Sequence, residues 1–421
     1  MAEIAAGAVV AEQVASTAAY AGAAGYALAK PTNELKVSFT QIAATSPDAT
    51  STSFARSNHT FTVMGSKAYL FGGQTSEGKL ASNSIHSFSL AKNSDSDYHL
   101  APAIPLGDGG RVPEPRMNHS ACAFNSCVAI YGGCDASGYL IDDPSIWLYE
   151  TEKSVWHAMP TNTAEGPNMR SGAKLFSHGN RFILYGGKGE GGSHLSEVWH
   201  FDTVTKMWSQ LPSAPVSTSN AAMGGSTLYL IAGNDNLSSN FHYLNTEPGT
   251  DHEARQWETI TFPTNPLTPG PKSREKGGLL YINTGYGRQY LLYFFGERTS
   301  EVTSAEETQG PTHWTDIWSF QLPSSDLSVK AAKTLSEAIQ PAKIKDAIRS
   351  KVGIDGSGTH TWSEVEVKPP GDILAHEGKV HPGPRSAFGC DVLGDGRSVV
   401  LWGGHNAKGE CEGDGWIMQI E

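Results

Sequence analysis

The feature that most constrains this chain is a repeat. Six times, a proline- or arginine-led segment runs into an apolar stretch, a glycine-pair type of turn and then an aromatic-bearing stretch. The fullest copy reads Asn168-Met-Arg170-Ser-Gly, Phe182-Ile-Leu-Tyr-Gly186-Gly187, Glu197-Val-Trp-His-Phe-Asp202 and Lys206-Met-Trp208-Ser-Gln-Leu211. Each run is short and alternates as a strand does, and Gly, Asp, Asn or Ser fills the gaps. A four-stranded unit cannot bury both faces alone, so units recurring at roughly 50 residues must stack on one another.

The copies start at Arg56, Arg116, Arg170, Ser219, Arg274 and Arg385. Their turns read Gly72-Gly73, Gly132-Gly133, Gly186-Gly187, Ala232-Gly233, Phe295-Gly296 and Gly403-Gly404. Fourth strands follow at Tyr98, Trp156, Trp208, Trp257 and Trp362, whereas the sixth copy stops after Trp416-Ile-Met-Gln-Ile420. Phe39-Thr-Gln-Ile42 matches Trp208-Ser-Gln-Leu211 position for position, so the N-terminal strand is expected to complete the last unit and remove the open edge. The predicted fold is all-β: a six-bladed propeller over residues 34–421, closed by that strand.

Two segments stand outside the repeat. Residues 1–33 are Ala-rich and predicted to form a helical segment packing on the propeller. Glu3, Glu12 and Gln13 interrupt the apolar run, and no basic region precedes it, which argues against an anchor or signal peptide. Residues 323–359 are predicted to be a helical insertion in the fifth blade, with amphipathic stretches over Val329–Ile339 and Ala342–Lys351 separated by Pro341. Strand alternation puts the loops between third and fourth strands on one face. The arginine-bearing and post-glycine loops fall on the other, so the helical extras and the mouth are expected on opposite sides.

A net charge of −12 argues against nucleic acid or an anionic membrane as partner. Five cysteines, with no zinc spacing and no secretion signal, point to a reducing, cytoplasmic setting. The chain has no Gly-x-Ser-x-Gly, phosphate loop or dinucleotide fingerprint. An enzyme reading therefore turns to proton transfer and electrostatics, with no cofactor and no metal expected.

In a propeller the innermost strands line the channel and the loops of one face form its mouth. Candidates are thus the starts of first strands and the positions after the glycine turns. His59, His119, Arg170, Glu297 and His405 are the expected catalytic groups. Arg56, Asn58, Arg116, Asn118, Lys188, Asn220, Arg274, Lys276, Arg385 and Phe388 are the expected substrate-binding groups. Arginines in a ring present bidentate donors suited to carboxylate, sulfate, enolate or phenolate. The plainer alternative is that each arginine braces a neighbouring loop and each histidine fills a repeat position. Departures from the repeat make the mouth asymmetric, as a site for one small molecule requires: Ser219-Asn220-Ala221 in blade four, Glu297-Arg298 in blade five, Phe388 and His405 in blade six.

The arginine, glycine-pair and tryptophan pattern resembles the kelch family across the chain after Leu35. Glu297, His405 and the Ala-rich leader with Pro31-Thr32 resemble a fungal branch of that family found in secondary metabolism, which includes a kelch-like cyclase type of phenalenone biosynthesis. That resemblance implies a cofactor-independent cyclase or isomerase acting on a phenolic or enolic polyketide, for example by adding a hydroxyl across an alkene. Arg116, Arg170 and Arg385 would stabilise negative charge, and His59, His119, Glu297 or His405 would move the proton. More distantly the chain is similar to nitrile-specifier kelch proteins, which hold Fe(II) with Glu-x-x-x-Asp-x-x-x-His. Here Glu247 and Asp251 are followed by Arg255, and Glu410 and Asp414 by Met418, so neither run is complete. The rival expectation is a protein-interaction scaffold whose basic mouth receives an acidic peptide.

Overall fold

The computed structural model describes residues 35–42, 54–90, 98–162, 165–232, 240–247, 255–261, 270–284, 288–298, 312–323, 360, 362–369 and 379–421. They form a six-bladed propeller, each blade a twisted antiparallel sheet. In the third blade the strands are Lys174–His178, Arg181–Tyr185, Val198–Asp202 and Met207–Leu211, paired in chain order. The other blades repeat this order from Thr60, Ser120, Ala221, Gly278 and Gly389.

Second strands such as Cys127–Tyr131 and Ser398–Trp402 are buried along their whole length. They read as continuous apolar runs because a neighbouring blade covers each face. The apolar clusters show this directly. Leu148 and Phe124 of blade two pack with Leu184 and Phe201 of blade three. Leu292 and Phe294 of blade five pack with Leu401 and Met418 of blade six. Every one of the six clusters draws on two adjacent blades, so the core is a ring rather than a centre. Each buried aromatic or aliphatic side chain contributes about 1.5–3 kcal/mol to the stacking.

The ring closes as expected. Lys36–Ile42 pairs antiparallel with Gly415–Ile420, setting Phe39 opposite Met418 and Ile42 opposite Gly415. Trp208 opposite Phe201 and Leu211 opposite Val198 give the same register in blade three. One feature was not expected: Glu366–Val367, leaving blade five, adds a parallel fifth strand to the outer edge of blade six through Lys36 and Val37. Residues 1–33, and the insertion apart from Pro323, lie outside the described residues. The insertion's flanks, Gln321 and His360, are bridged by a backbone hydrogen bond of 2.8 Å, at the end of the strands away from the Phe295-Gly296 turn.

Candidate functional site at the propeller mouth

The arginines are structural. Arg56, Arg116, Arg170, Arg274 and Arg385 are all at most 3% exposed. Each donates from Nη1 to the carbonyl of the first turn residue of its own blade: Gly72, Gly132, Gly186, Phe295 and Gly403, at 2.9–3.2 Å. An acid at the head of the third strand takes most of the remaining charge. Glu197 lies 2.7 Å from Arg170, Asp316 grips Arg274 with both oxygens at 2.7 and 2.9 Å, and Asp414 lies 2.8 Å from Arg385. The same acids accept from the indoles of Trp199, Trp318 and Trp416. Blade two uses Asp143 more loosely, at 3.8 Å, and in blade one Arg56 meets His86 Nε2 at 3.0 Å. The expected roles of Arg170 in catalysis and of Arg56, Arg116, Arg274 and Arg385 in substrate binding are therefore corrected: their donors hold the blades together.

The turn glycines follow from the same packing. Gly72 has φ +64, and a Cβ there would lie 2.4 Å from the Arg116 carbonyl oxygen of the next blade. That carbonyl accepts the Gly73 N–H at 2.9 Å. Asn220, 2% exposed, makes the corresponding contact from blade four, its amide donating to the Arg274 carbonyl at 3.0 Å. It is a cross-blade brace and not a mouth residue.

Two residues after each of these arginines the backbone turns left-handed: Asn58, Asn118, Gly172, Lys276 and Ala387 have φ of 51–65. Asparagine and glycine tolerate this region, which accounts for Asn58 and Asn118. Their N–H groups form a belt around the axis. Ala387 donates to Lys276, Asn58 to Ala387, Asn118 to Asn58 and Gly172 to Asn118, all within 2.6–2.9 Å. The Asn58 and Asn118 side chains turn to Ser57 Oγ and Cys134 Sγ.

His59 and His119 are spacers between blades. Each is 6% exposed, and His119 bonds Thr60 Oγ1 at 2.8 Å while its ring edge meets Phe71. Burial, reinforced by Arg116, holds His119 down to about 3; burial and Arg56 hold His59 well below the ordinary value. Neutral imidazoles closed off from solvent cannot shuttle protons. Phe388 takes their place in blade six and packs on Phe294 and Phe295, in the wall between blades five and six.

What reaches the mouth is a set of short ladders, one residue after the arginine and one after the turn. Ser57 pairs with Gln74, Met117 with Cys134, Ser171 with Lys188, Glu275 with Glu297, and Ser386 with His405. A third rung adds Leu80, Leu140, His194, His313 and Cys411. Chemistry concentrates on blades five, six and one. Lys276 Nζ lies 2.6 Å from Glu297 Oε1, and Ser386 Oγ donates to Glu297 Oε2 at 2.7 Å. Ser386 spends its one proton on the carboxylate, so His313 Nε2, 3.2 Å from Ser386 Oγ, donates to the serine oxygen. On the other side, His405 Nε2 meets Ser57 Oγ at 3.0 Å. Ser57 already accepts from Asn58 and Cys411, so its own proton points at His405, whose N–H is then on Nδ1.

Burial pushes Glu297 up, but Lys276, Ser386 and His313 together bring it below the ordinary carboxylate value. Burial lowers His313 and, with Lys276, His405, so both are neutral at pH 7. Of the expected residues, Glu297 and Lys276 are in contact and both act electrostatically on His405. His313, Ser57 and Ser386 were missed, although the last two follow an arginine directly in the repeat. Lys188 is exposed at the mouth on blade three, apart from this cluster.

The chain matches a family model described as the KLHDC2/KLHL20/DRC7 Kelch-repeats domain over residues 31–221. It is 25% identical over 261 residues to Kelch domain-containing protein 10 of Xenopus tropicalis, covering 57% of this chain and 60% of that protein. It is 30% identical over 152 residues to Host cell factor of Drosophila melanogaster, 34% of this chain and 10% of that one. The solved structure of YjhT shares the fold at a TM-score of 0.55 and 13% identity, covering 87% of this chain and 97% of that one. The kelch match lies within a chain whose described residues fold as a six-bladed β-propeller.

All five arginines are buried and four of them face a carboxylate inside their own blade, so the mouth is mixed in charge and not basic. The cavity of about 690 Å³ lined by Asp316, Ile317, Val365, Val367 and His381 lies at the rim between blades five and six, outside the ring of inner strands. The two partial iron motifs do not assemble. Asp414 braces Arg385, Met418 is fully buried, Arg255 bonds the Glu247 carbonyl, and Asp251 lies outside the described residues. Among the described residues no group of three or more His, Cys, Asp or Glu could hold a metal ion, and no helix is long and apolar enough to cross a membrane.

Proposed function

We propose that this kelch propeller is a binding module whose mouth, at blades five, six and one, receives a segment of another protein. One observation carries the reading. Glu297, His313, Ser386, His405 and Ser57 form a pre-ordered hydrogen-bonding surface across two blade boundaries, with the arginines withdrawn behind it. Such a surface recognises polar backbone and side-chain groups, and so favours a partner segment rich in amides and hydroxyls over a strongly acidic one. Its relatives support the use as a module: the matched stretch is 10% of Host cell factor and 60% of Kelch domain-containing protein 10. Lys408, exposed on the post-glycine loop of blade six, marks this part of the mouth, and Val204, 72% exposed between third and fourth strands, marks the opposite face. A photo-crosslinker at position 408 is expected to capture the physiological partner, and one at 204 is not. Capture from 204 alone would refute the assignment.

A second reading keeps the acid–base enzyme, a cyclase or isomerase of a phenolic or enolic small molecule. The observation that favours it is the Glu297 carboxylate held between Lys276, Ser386 and His313, with neutral His405 nearby: a base beside two imidazoles. In that case Glu297→Gln abolishes turnover of the substrate while leaving the fold intact, and unchanged turnover discards the reading.

A further inference from the structure

The rim cavity of about 690 Å³ between blades five and six owes its shape to a crossing of the chain. The fourth strand of blade five ends at Glu364, and the next residues pass over to the edge of blade six. Val365 still donates to the Ile317 carbonyl of blade five at 2.8 Å, whereas Glu366 donates to the Leu35 carbonyl at 3.2 Å and Val367 lies beside Val37. All of Ile317 and Glu364–Val367 line the cavity, together with Asp316 and His381. Its volume is that of a site for a small organic molecule.

Ile317 and Val365, at most 4% exposed, and the partly exposed Val367 give the lining an apolar wall. His381 is fixed in place: its Nδ1 accepts the Gly383 N–H at 2.9 Å, and its ring meets Phe39 edge-on at 4.6 Å. Burial, and then Arg385, lowers its pKa, so it is neutral at pH 7. The three carboxylates of the lining differ. Asp316 is held by Arg274 through both oxygens, and Glu366 is paired with Lys36. Glu364 is exposed and has no hydrogen bond or ion pair with any described residue. One uncompensated negative charge therefore stands beside an apolar wall.

We propose that the rim cavity binds a small organic monocation, an ammonium joined to an apolar body. The ammonium balances the Glu364 carboxylate while the apolar body covers Ile317, Val365 and Val367. A carboxylic acid of the same shape would set a second negative charge beside Glu364, and a dication would leave one charge unbalanced against the apolar wall. The site shares no residue with the cluster at blades five, six and one, and does not depend on the mouth's partner.

The test is calorimetric titration of the full-length protein at pH 7 with phenethylammonium and with hydrocinnamate, which carries the same ring on a chain of opposite charge. Saturable binding of phenethylammonium alone is expected. Glu364→Gln should weaken that binding about fivefold. Val367→Lys, which sets a competing ammonium on the wall, should weaken it at least as much. Glu152→Gln, which removes an exposed carboxylate of blade two, should leave it unchanged. The proposal is overturned by equal binding of the two probes or by no saturable binding. It is also overturned by binding undiminished in either Glu364→Gln or Val367→Lys, or weakened as much in Glu152→Gln.

Discussion

Arg274 shows how a residue that looks like a ligand group becomes a fastener. It lies over the Tyr293 ring, binds Asp316 through two oxygens and caps the Phe295 carbonyl. Arg274→Ala leaves Asp316 without its partner and should lower stability by about 3–5 kcal/mol in urea unfolding. Lys188→Ala, at the exposed mouth, should change it by about 0.5 kcal/mol or less. Two buried groups give opposite pH signatures. His119 is held at about 3, below the ordinary 6.5, so its contribution is present above pH 6.5 and is lost as pH falls toward 3. Burial raises Asp391 to about 6 from 3.8, so its contribution is present below pH 4 and is lost as pH rises through 6. Asp391→Asn should therefore flatten the stability curve between about pH 4 and 6, and a curve unchanged by this substitution would contradict the assignment. The sequence did carry the signal for the arginine braces. An acid two residues before a tryptophan recurs as Glu197-Val-Trp199, Asp316-Ile-Trp318 and Asp414-Gly-Trp416. Without the third dimension that pairing was not linked to the arginines that start the blades.

At the scale of elements, the closing strand carries the ring. Val37 is fully buried against the blade five and six core, while Thr40 is exposed on the same strand. Val37→Asp should cost at least about 3 kcal/mol by burying an unpaired carboxylate. Thr40→Asp should stay within about 0.5 kcal/mol, and thermal unfolding of the two variants checks the contrast. Blade number and closure were legible because both rest on local alternation and on a match between short segments. The fifth strand at Glu366–Val367 was not, because two residues outside the repeat carry no periodicity to read. His313 was hidden for a similar reason. Its place in the site depends on a bridge to Glu297 that spans 16 residues, where the same bridge spans 6 in each of four other blades.

For the whole molecule, the candidate mouth is divided in two. Blades two and three present Met117, Cys134, Leu140, Ser171 and Lys188, whereas the titratable cluster spans blades five, six and one. Asymmetry of the mouth was expected from departures from the repeat, and Glu297, Lys276 and His405 were found that way. The central claim is that a partner docks on the cluster of blades five, six and one. The most direct test is the partner's affinity for the wild-type protein, Glu297→Gln and Val204→Asp, measured alongside their melting temperatures. The account predicts a loss of about tenfold or more for Glu297→Gln, equivalent to about 1.4 kcal/mol, at unchanged melting temperature and with Val204→Asp binding normally. Normal binding by Glu297→Gln with binding lost in Val204→Asp would place the partner on the opposite face and contradict it.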